Sequence, residues 1–305
     1  MKRWELIRAF LTGPLIEVAV PKPGNVSRKA DFNDLSLYNF LVSYPAITGI
    51  YHEAVKRAES IRSGLLKPSE AGIGELIRRS VEATKRVQDA NPNFGVVVLS
   101  IPLIMGLAMT KKITEGGEKA SLLIENSTVR DTIELYRAIR IANPKGLSSG
   151  VKYDVYSKNA FEELFRDRIN LLALAQMSTD RELVFREWIT GYRLTYGTLV
   201  RIMENIPGPL EENVVKVFIK LLSENLDTLV LRKAGREEAE LVREKAREVR
   251  KGVMDIDEFD AFMREKGDLR NPGSLADIMA VSLSLLLLSG VRVEMRNGKA
   301  WFIIP

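Results

Sequence analysis

The residues best placed to do chemistry sit at two turns with nearly the same grammar, Pro23-Gly24-Asn25-Val26-Ser27 and Asn271-Pro272-Gly273-Ser274. Pro-Gly makes a sharp turn and leaves backbone N–H groups free. At the start of a helix such a loop is a natural anion site. On its own the motif is common, and its weight comes from its neighbours. Glu17 falls at the edge of an apolar arc, one turn after Gly13, and a carboxylate at a core boundary needs a partner. Lys22, read alone, is as easily a solvated loop lysine.

Composition limits the chemistry further. The 305 residues include no cysteine and one histidine, His52. That excludes disulfides, a thiolate nucleophile, zinc ribbons and iron–sulfur clusters. A multi-His metal site is excluded too, and only one base remains for a serine triad. Any enzymology is therefore expected to run on carboxylates, amides, lysines and arginines, with or without a bound metal. A net charge of +5 and a pI near 9.2 suit anionic small molecules, and support nucleic acid only weakly. No run alternates basic and aromatic residues as a stacking platform would. The apolar runs Phe94–Met109 and Leu275–Gly290 are shorter than the ~20 residues a spanning helix needs, so they read as buried core helices. With no secretory signal in view, a cytoplasmic protein is expected.

The elements that must position these residues read almost entirely with helical period. Trp4, Ile7, Phe10 and Leu11 share a stripe, and Gly13-Pro14 kinks or restarts that helix. Helices are expected over Leu35–Ser63, Ser69–Ala90, Gly117–Glu125, Val129–Ala142, Asn159–Met177, Thr179–Asn205, Glu211–Lys233, Glu237–Lys251, Asp255–Lys266 and Ser274–Ser289. Another opens near Asn93, with Asn91 as N-cap and Pro92 in the first turn. Pro207-Gly208-Pro209 breaks the run between two of them. Val291–Met295 and Lys299–Ile304 around Asn297-Gly298 predict a hairpin with a type I′ turn. The expected fold is all-α, a single multi-helix domain over 1–305 with a short C-terminal β-hairpin.

Several polar residues have plain local readings. Ser274-x-x-Asp277 is a capping-box pattern. Asp131 suits a first helical turn, and Arg232 and Lys233 suit a last one. On a helix over Glu211–Lys233, Asp227 lies opposite the stripe of Val214, Phe218, Leu221, Leu222 and Leu229. It is solvated there unless that face lines a cleft. His52 reads as a structural or surface residue.

Taken in order, the segments resemble the triphosphoribosyl-dephospho-CoA synthase family. Glu17-(x)4-Lys22-Pro23-Gly24-Asn25-Val26, followed by Asp31, is similar to its opening signature. Asn91-Pro92-Asn93-Phe94-Gly95 is similar to its Asn-Thr-x-x-Gly segment. Asp131 to Ile139, Asp154-Val155, Asp180-Arg181-Glu182 and Asp227 to Gly235 follow, and Asn271-Pro272-Gly273-Ser274-Leu275-Ala276-Asp277 closes the series. Three positions depart from the family pattern. Pro92 stands for a threonine, Phe94 for a residue often polar or basic, and Glu182 for an aspartate.

The resemblance implies an all-helical transferase that joins ATP to 3′-dephospho-CoA and releases adenine. It implies catalytic roles for Glu17, Asp227 and Asp277, with Mg²⁺ held by Asp227 and Asp277. Substrate contacts are implied for Lys22, Gly24, Asn25, Asn91, Gly95, Asp154, Arg181, Arg232, Lys233, Asn271, Gly273 and Ser274. The implied partners are ATP and dephospho-CoA or similar phosphorylated small molecules, with neither a membrane nor a nucleic acid, and a homo-oligomer is left open. Pro92, Phe94 and Glu182 keep a different phosphorylated substrate on the same fold as the alternative. A helical RNA- or partner-binding protein is the more distant one.

Overall fold

A helix that is apolar on every side must be surrounded by other elements, and two such helices form the middle of this molecule. They are the fifth and the last of sixteen α-helices in the computed structural model, which describes residues 2–146 and 152–304. Along the chain the helices are α1 (Arg3–Ala19), α2 (Leu37–Ala46), α3 (Thr48–Arg62), α4 (Ile73–Lys85), α5 (Phe94–Ala108), α6 (Gly116–Glu125), α7 (Val129–Ala142) and α8 (Ala160–Arg166). They continue as α9 (Leu171–Ser178), α10 (Leu183–Thr190), α11 (Arg193–Met203), α12 (Leu210–Glu224), α13 (Thr228–Ala234), α14 (Arg236–Arg250), α15 (Ile256–Arg264) and α16 (Gly273–Leu288). Every residue of α5 from Val96 to Ala108 is buried. Helix α16 is buried nearly as completely from Ile278 to Leu286. Helix α1 packs on both, and α3 and α11 close the sides. Buried side chains from Leu6 to Phe302 form one continuous core.

Helix α1 runs through Gly13-Pro14 rather than restarting there. Its closest neighbour explains the glycine. A Cβ on Gly13 would lie 2.5 Å from the Ser284 nitrogen, so α1 and α16 touch backbone to backbone. Glu17 lies one turn beyond Gly13, and Asp277 two turns before Ser284. The antiparallel contact therefore brings the two carboxylates to the same end of the pair. Trp4 departs from the expected stripe. It is 63% exposed and stacks on the His52 ring, with centroids 5.5 Å apart.

Several long predicted helices are in fact pairs. The Leu35–Ser63 helix breaks at Ile47, and Thr179–Asn205 breaks where Gly191 and Tyr192 take φ of 67° and 64°. Asn159–Met177 breaks near Arg168, at φ 52°. Glu211–Lys233 breaks at the extended Asn225. Asp227 is thereby moved off a helical face and becomes the N-cap of α13. Both halves of each pair face the same core, so the apolar period carries across the break and hides it. The cap of α5 is Asn93 rather than Asn91, and its amide reaches the Thr84 hydroxyl at 3.2 Å.

The C-terminal hairpin is present. Strand β2 (Arg292–Arg296) pairs with β3 (Lys299–Ile303) around Asn297 and Gly298, whose φ values of 50° and 77° are those a type I′ turn demands. The chain break at Pro207-Gly208-Pro209 also supplies a strand. Gly208–Pro209 pairs with β3 through Gly208↔Phe302, making a three-stranded antiparallel sheet of order 1-3-2 when numbered along the chain. Among the described residues no helix is long and apolar enough to cross a membrane.

Candidate active site

The two Pro-Gly loops, more than 200 residues apart in sequence, meet. The Asn25 amide donates to Asn271 Oδ1 at 2.9 Å. A cleft of about 600 Å³ opens beside this junction, walled by the ends of α1, α5, α13 and α16 and by Glu182 at the start of α10. Glu17, Asn25, Asn91, Gly95, Arg232, Lys233, Asn271, Gly273, Ser274 and Asp277 all line it. So do the three positions that depart from the family pattern, Pro92, Phe94 and Glu182.

Asp277 stands at the centre of the carboxylates. No hydrogen bond or ion pair from the described residues engages it. Its Oδ2 lies 1.9 Å from where a Cβ on Gly95 would be, so it sits directly against the first turn of α5. The positive end of that helix favours an anion there. Burial nevertheless pushes the Asp277 carboxyl well above the usual range, with the neighbouring charges of Glu17 and Asp227 adding to the rise and Arg232 opposing it. Glu17 is also raised by burial, although Lys22 pulls it back. The Lys22 ammonium lies 2.9 Å from Glu17 Oε1 and donates to the Glu17 and Val20 carbonyls. Its side chain is fully buried.

Lys22 is thus the partner of Glu17 and lies outside the lining of the cleft. Gly24 is outside it as well. Its φ of 73° makes the turn, its N–H donates to Asp260 Oδ1 at 2.8 Å, and Met263 fills the space a side chain would need. The free N–H expected there is already bound. Asp154 and the exposed Arg181 do not line the cleft either; Asp154 accepts from the Tyr156 N–H at 2.8 Å. Asp131 caps α7 and accepts from the Gly74 N–H.

Asp227 is buried and not part of the cleft surface. Its Oδ1 accepts from the N–H groups of Leu229 and Val230 at 2.8 and 3.0 Å, and its Oδ2 from that of Leu275 at 2.8 Å. Burial pushes its carboxyl to about 6 against those bonds. Helix α16 starts at Gly273, so Ser274 lies inside its first turn with its hydroxyl accepting from Thr228, and the expected capping box between Ser274 and Asp277 does not form. Asp277 is left facing the cleft.

Cations ring the mouth. Lys233 pairs with Asp268 at 2.8 Å, and Lys145 bridges Asp268 and Asp34 at 2.9 and 2.7 Å. Burial lowers the Lys233 ammonium. Arg232 pairs with Glu182, whose carboxyl burial raises. Tyr44, Lys85, Lys145, Glu182, Phe185 and Asp268 line the cleft without having been candidates. Glu182 carried a signal, since it departs from the family pattern; the others lie in segments with no motif.

A mostly helical chain with carboxylates and lysines lining one cleft suits an anionic small molecule. The family model described as CitG, ATP:dephospho-CoA triphosphoribosyl transferase, matches residues 3–294, and the chain belongs to that family of transferases. A provisional triphosphoribosyl-dephospho-CoA synthase from Archaeoglobus fulgidus has a crystal structure similar to this one. Its TM-score is 0.60 at 24% identity, covering 83% of this chain and 99% of that one. At that identity the likeness speaks for the fold. No curated protein matches the chain.

Proposed function

We propose that this cleft transfers the triphosphoribosyl group of ATP to 3′-dephospho-CoA. The 2′-hydroxyl of dephospho-CoA attacks C1′ of the ATP ribose, and the bond from C1′ to adenine N9 breaks. Adenine leaves with that electron pair and takes up a proton, while the hydroxyl's proton passes to a carboxylate. The observation that carries this reading is Asp277, a carboxylate with no hydrogen-bond or ion-pair partner among the described residues, at a helix N-terminus in a cleft that Lys85, Lys145, Arg232 and Lys233 also line. A raised carboxyl suits it to accept a proton near neutral pH. Its charge, with that of Glu17, suits the pair to stabilise cation-like character at C1′.

Magnesium fits the residues present in a limited way. The described residues hold no group of three acidic or histidine side chains placed for a metal ion. Mg²⁺, however, commonly binds through one or two carboxylates and the substrate's own phosphates. Asp277 is available for this, with Glu17 beside it, whereas both Asp227 oxygens already accept N–H groups. When bound, the ion neutralises charge on the triphosphate. Lys145, Lys233 and Arg232 line the cleft and would hold the phosphates, while Phe94 and Phe185 would offer apolar faces to a purine.

The test is incubation of the wild type and Asp277→Asn with Mg-ATP and dephospho-CoA, followed by chromatography for adenine and mass analysis of the CoA product. The wild type should release adenine in step with a triphosphoribosyl adduct, and Asp277→Asn should lose at least ~100-fold in kcat. Absence of both products from the wild type sinks the reading.

A further inference from the structure

Three helices begin at one buried point, and each carries a charged side chain into the cleft. We propose that Asp227 and Thr228 form a hub that fixes the mutual placement of Glu182, Arg232 and Asp277. In this role Asp227 is a positioning residue that does not touch the substrate. The inference rests on the transferase reading above and assigns a division of labour within that site.

Each bond of the hub lies within two residues of a cleft side chain. The Leu183 N–H, next to Glu182, donates to Thr228 Oγ1 at 3.3 Å. The Val230 N–H, two residues before Arg232, donates to Asp227 Oδ1 at 3.0 Å. The Leu275 N–H, two residues before Asp277, donates to Asp227 Oδ2 at 2.8 Å. Thr228 Oγ1 also donates to Ser274 Oγ at 2.9 Å, tying the start of α13 to the start of α16 a second time. Asp227 is 2% exposed and Thr228 3%.

The chemistry of these bonds explains the residue types. Helix N-termini present unpaired N–H groups. The carboxylate of Asp227 accepts the Leu229, Val230 and Leu275 N–H groups together, whereas a hydroxyl in its place has only two acceptor lone pairs. Helix α13 has only seven residues, too few to hold its own direction. Arg232 therefore depends on the hub for its placement. Reacting groups displaced by as little as ~1 Å can lose ~100-fold in rate without losing their substrate.

The experiment compares Thr228→Val, Thr228→Ser and Asp227→Asn in the full chain. It measures kcat and KM for ATP, and amide hydrogen exchange at Leu183 and Leu275. Thr228→Val leaves every cleft side chain intact. It should lower kcat by roughly 10-fold or more with a smaller change in KM, and speed exchange at Leu275 as well as at Leu183. Thr228→Ser, which keeps the hydroxyl, should restore both to within about twofold of wild type. Asp227→Asn should show the same pattern, since its amide cannot accept from Leu275. If Thr228→Val turns over like wild type and leaves Leu275 protected while Asp227→Asn is inactive, Asp227 acts on the substrate directly and the hub is wrong. Should Asp227→Asn fail to fold, the two Thr228 variants decide alone. Should the wild type release no adenine, the reaction is misassigned, and exchange at Leu275 in Thr228→Val against Thr228→Ser still decides the hub.

Discussion

A carboxylate that no donor among the described residues reaches is held by shape, and at Asp277 the shape comes from Gly95. In a helix, glycine to alanine ordinarily gains about 1 kcal/mol. Here the added methyl would fall 1.9 Å from Oδ2, the free end of a side chain that can rotate away. Gly95→Ala is therefore expected to keep or raise the melting temperature while cutting adenine release by roughly 10-fold or more. A variant with normal turnover would show that Asp277 does not work from this position. Lys22 gives the opposite case, a cation whose loss harms the fold. Removing one partner of a buried pair costs about 3–5 kcal/mol, so Lys22→Met should melt well below wild type. The deficit should shrink from pH 8 to pH 5, as the stranded Glu17 carboxyl, already raised, takes up a proton. A deficit that stays constant with pH would mean Lys22 contributes packing alone. Sequence marked both residues but not this contrast. A motif shows that Lys22 matters; it cannot show that the ammonium turns inward to the Glu17 carbonyl.

At the scale of elements, one glycine sets the distance between the helices that carry Glu17 and Asp277. A Cβ on Gly13 would meet the Ser284 nitrogen at 2.5 Å and its Cα at 2.8 Å, both backbone atoms that cannot rotate aside. Gly13→Ala is expected to lose about 1–3 kcal/mol in urea unfolding, because overpacking outweighs the helix gain. It should also slow turnover, because Glu17 and Asp277 ride on the separated helices. Unchanged stability would mean that α1 slides without cost. Helices whose ends are written locally were legible. The expected Val129–Ala142 matches α7, where Thr128 and Asp131 form the capping box. The expected hairpin matches because Asn297-Gly298 admits one turn type. What escaped was decided at long range. Ser274-x-x-Asp277 has the spacing of a capping box, yet the helix starts one residue earlier, at Gly273, and the Ser274 hydroxyl is held by Thr228, 46 positions back. Gly208 reads as a breaker until Phe302 arrives to pair with it.

Over the whole molecule, two sets of carboxyls pull stability in opposite directions. Asp227 at about 6, with Glu17, Glu182, Glu187 and Asp277 also raised, binds its proton more tightly when folded. Stability from this set is fully present below the unfolded values near pH ~4 and is lost as pH rises through the folded ones. Asp167, held at about 2 by Arg166 and Tyr153, belongs to the other set with Glu238 and Asp268. Their contribution is present above pH ~4 and fades as pH falls. The melting temperature should peak between about pH 4 and pH 6 and decline toward pH 8. A maximum above pH 7 would mean that the buried carboxyls ionise without cost.

The contact between α1 and α16 also governs when the molecule can first work. Glu17 and Asp277 are made 260 residues apart in the same translation. During synthesis the early helices emerge with no α16 to lie against, and the central groove of the bundle stays open to water or a chaperone. A nascent chain halted anywhere before Asn271 has one Pro-Gly loop and half a pocket. The proposed cleft is thus incomplete until α16 has left the ribosome and packed against α1.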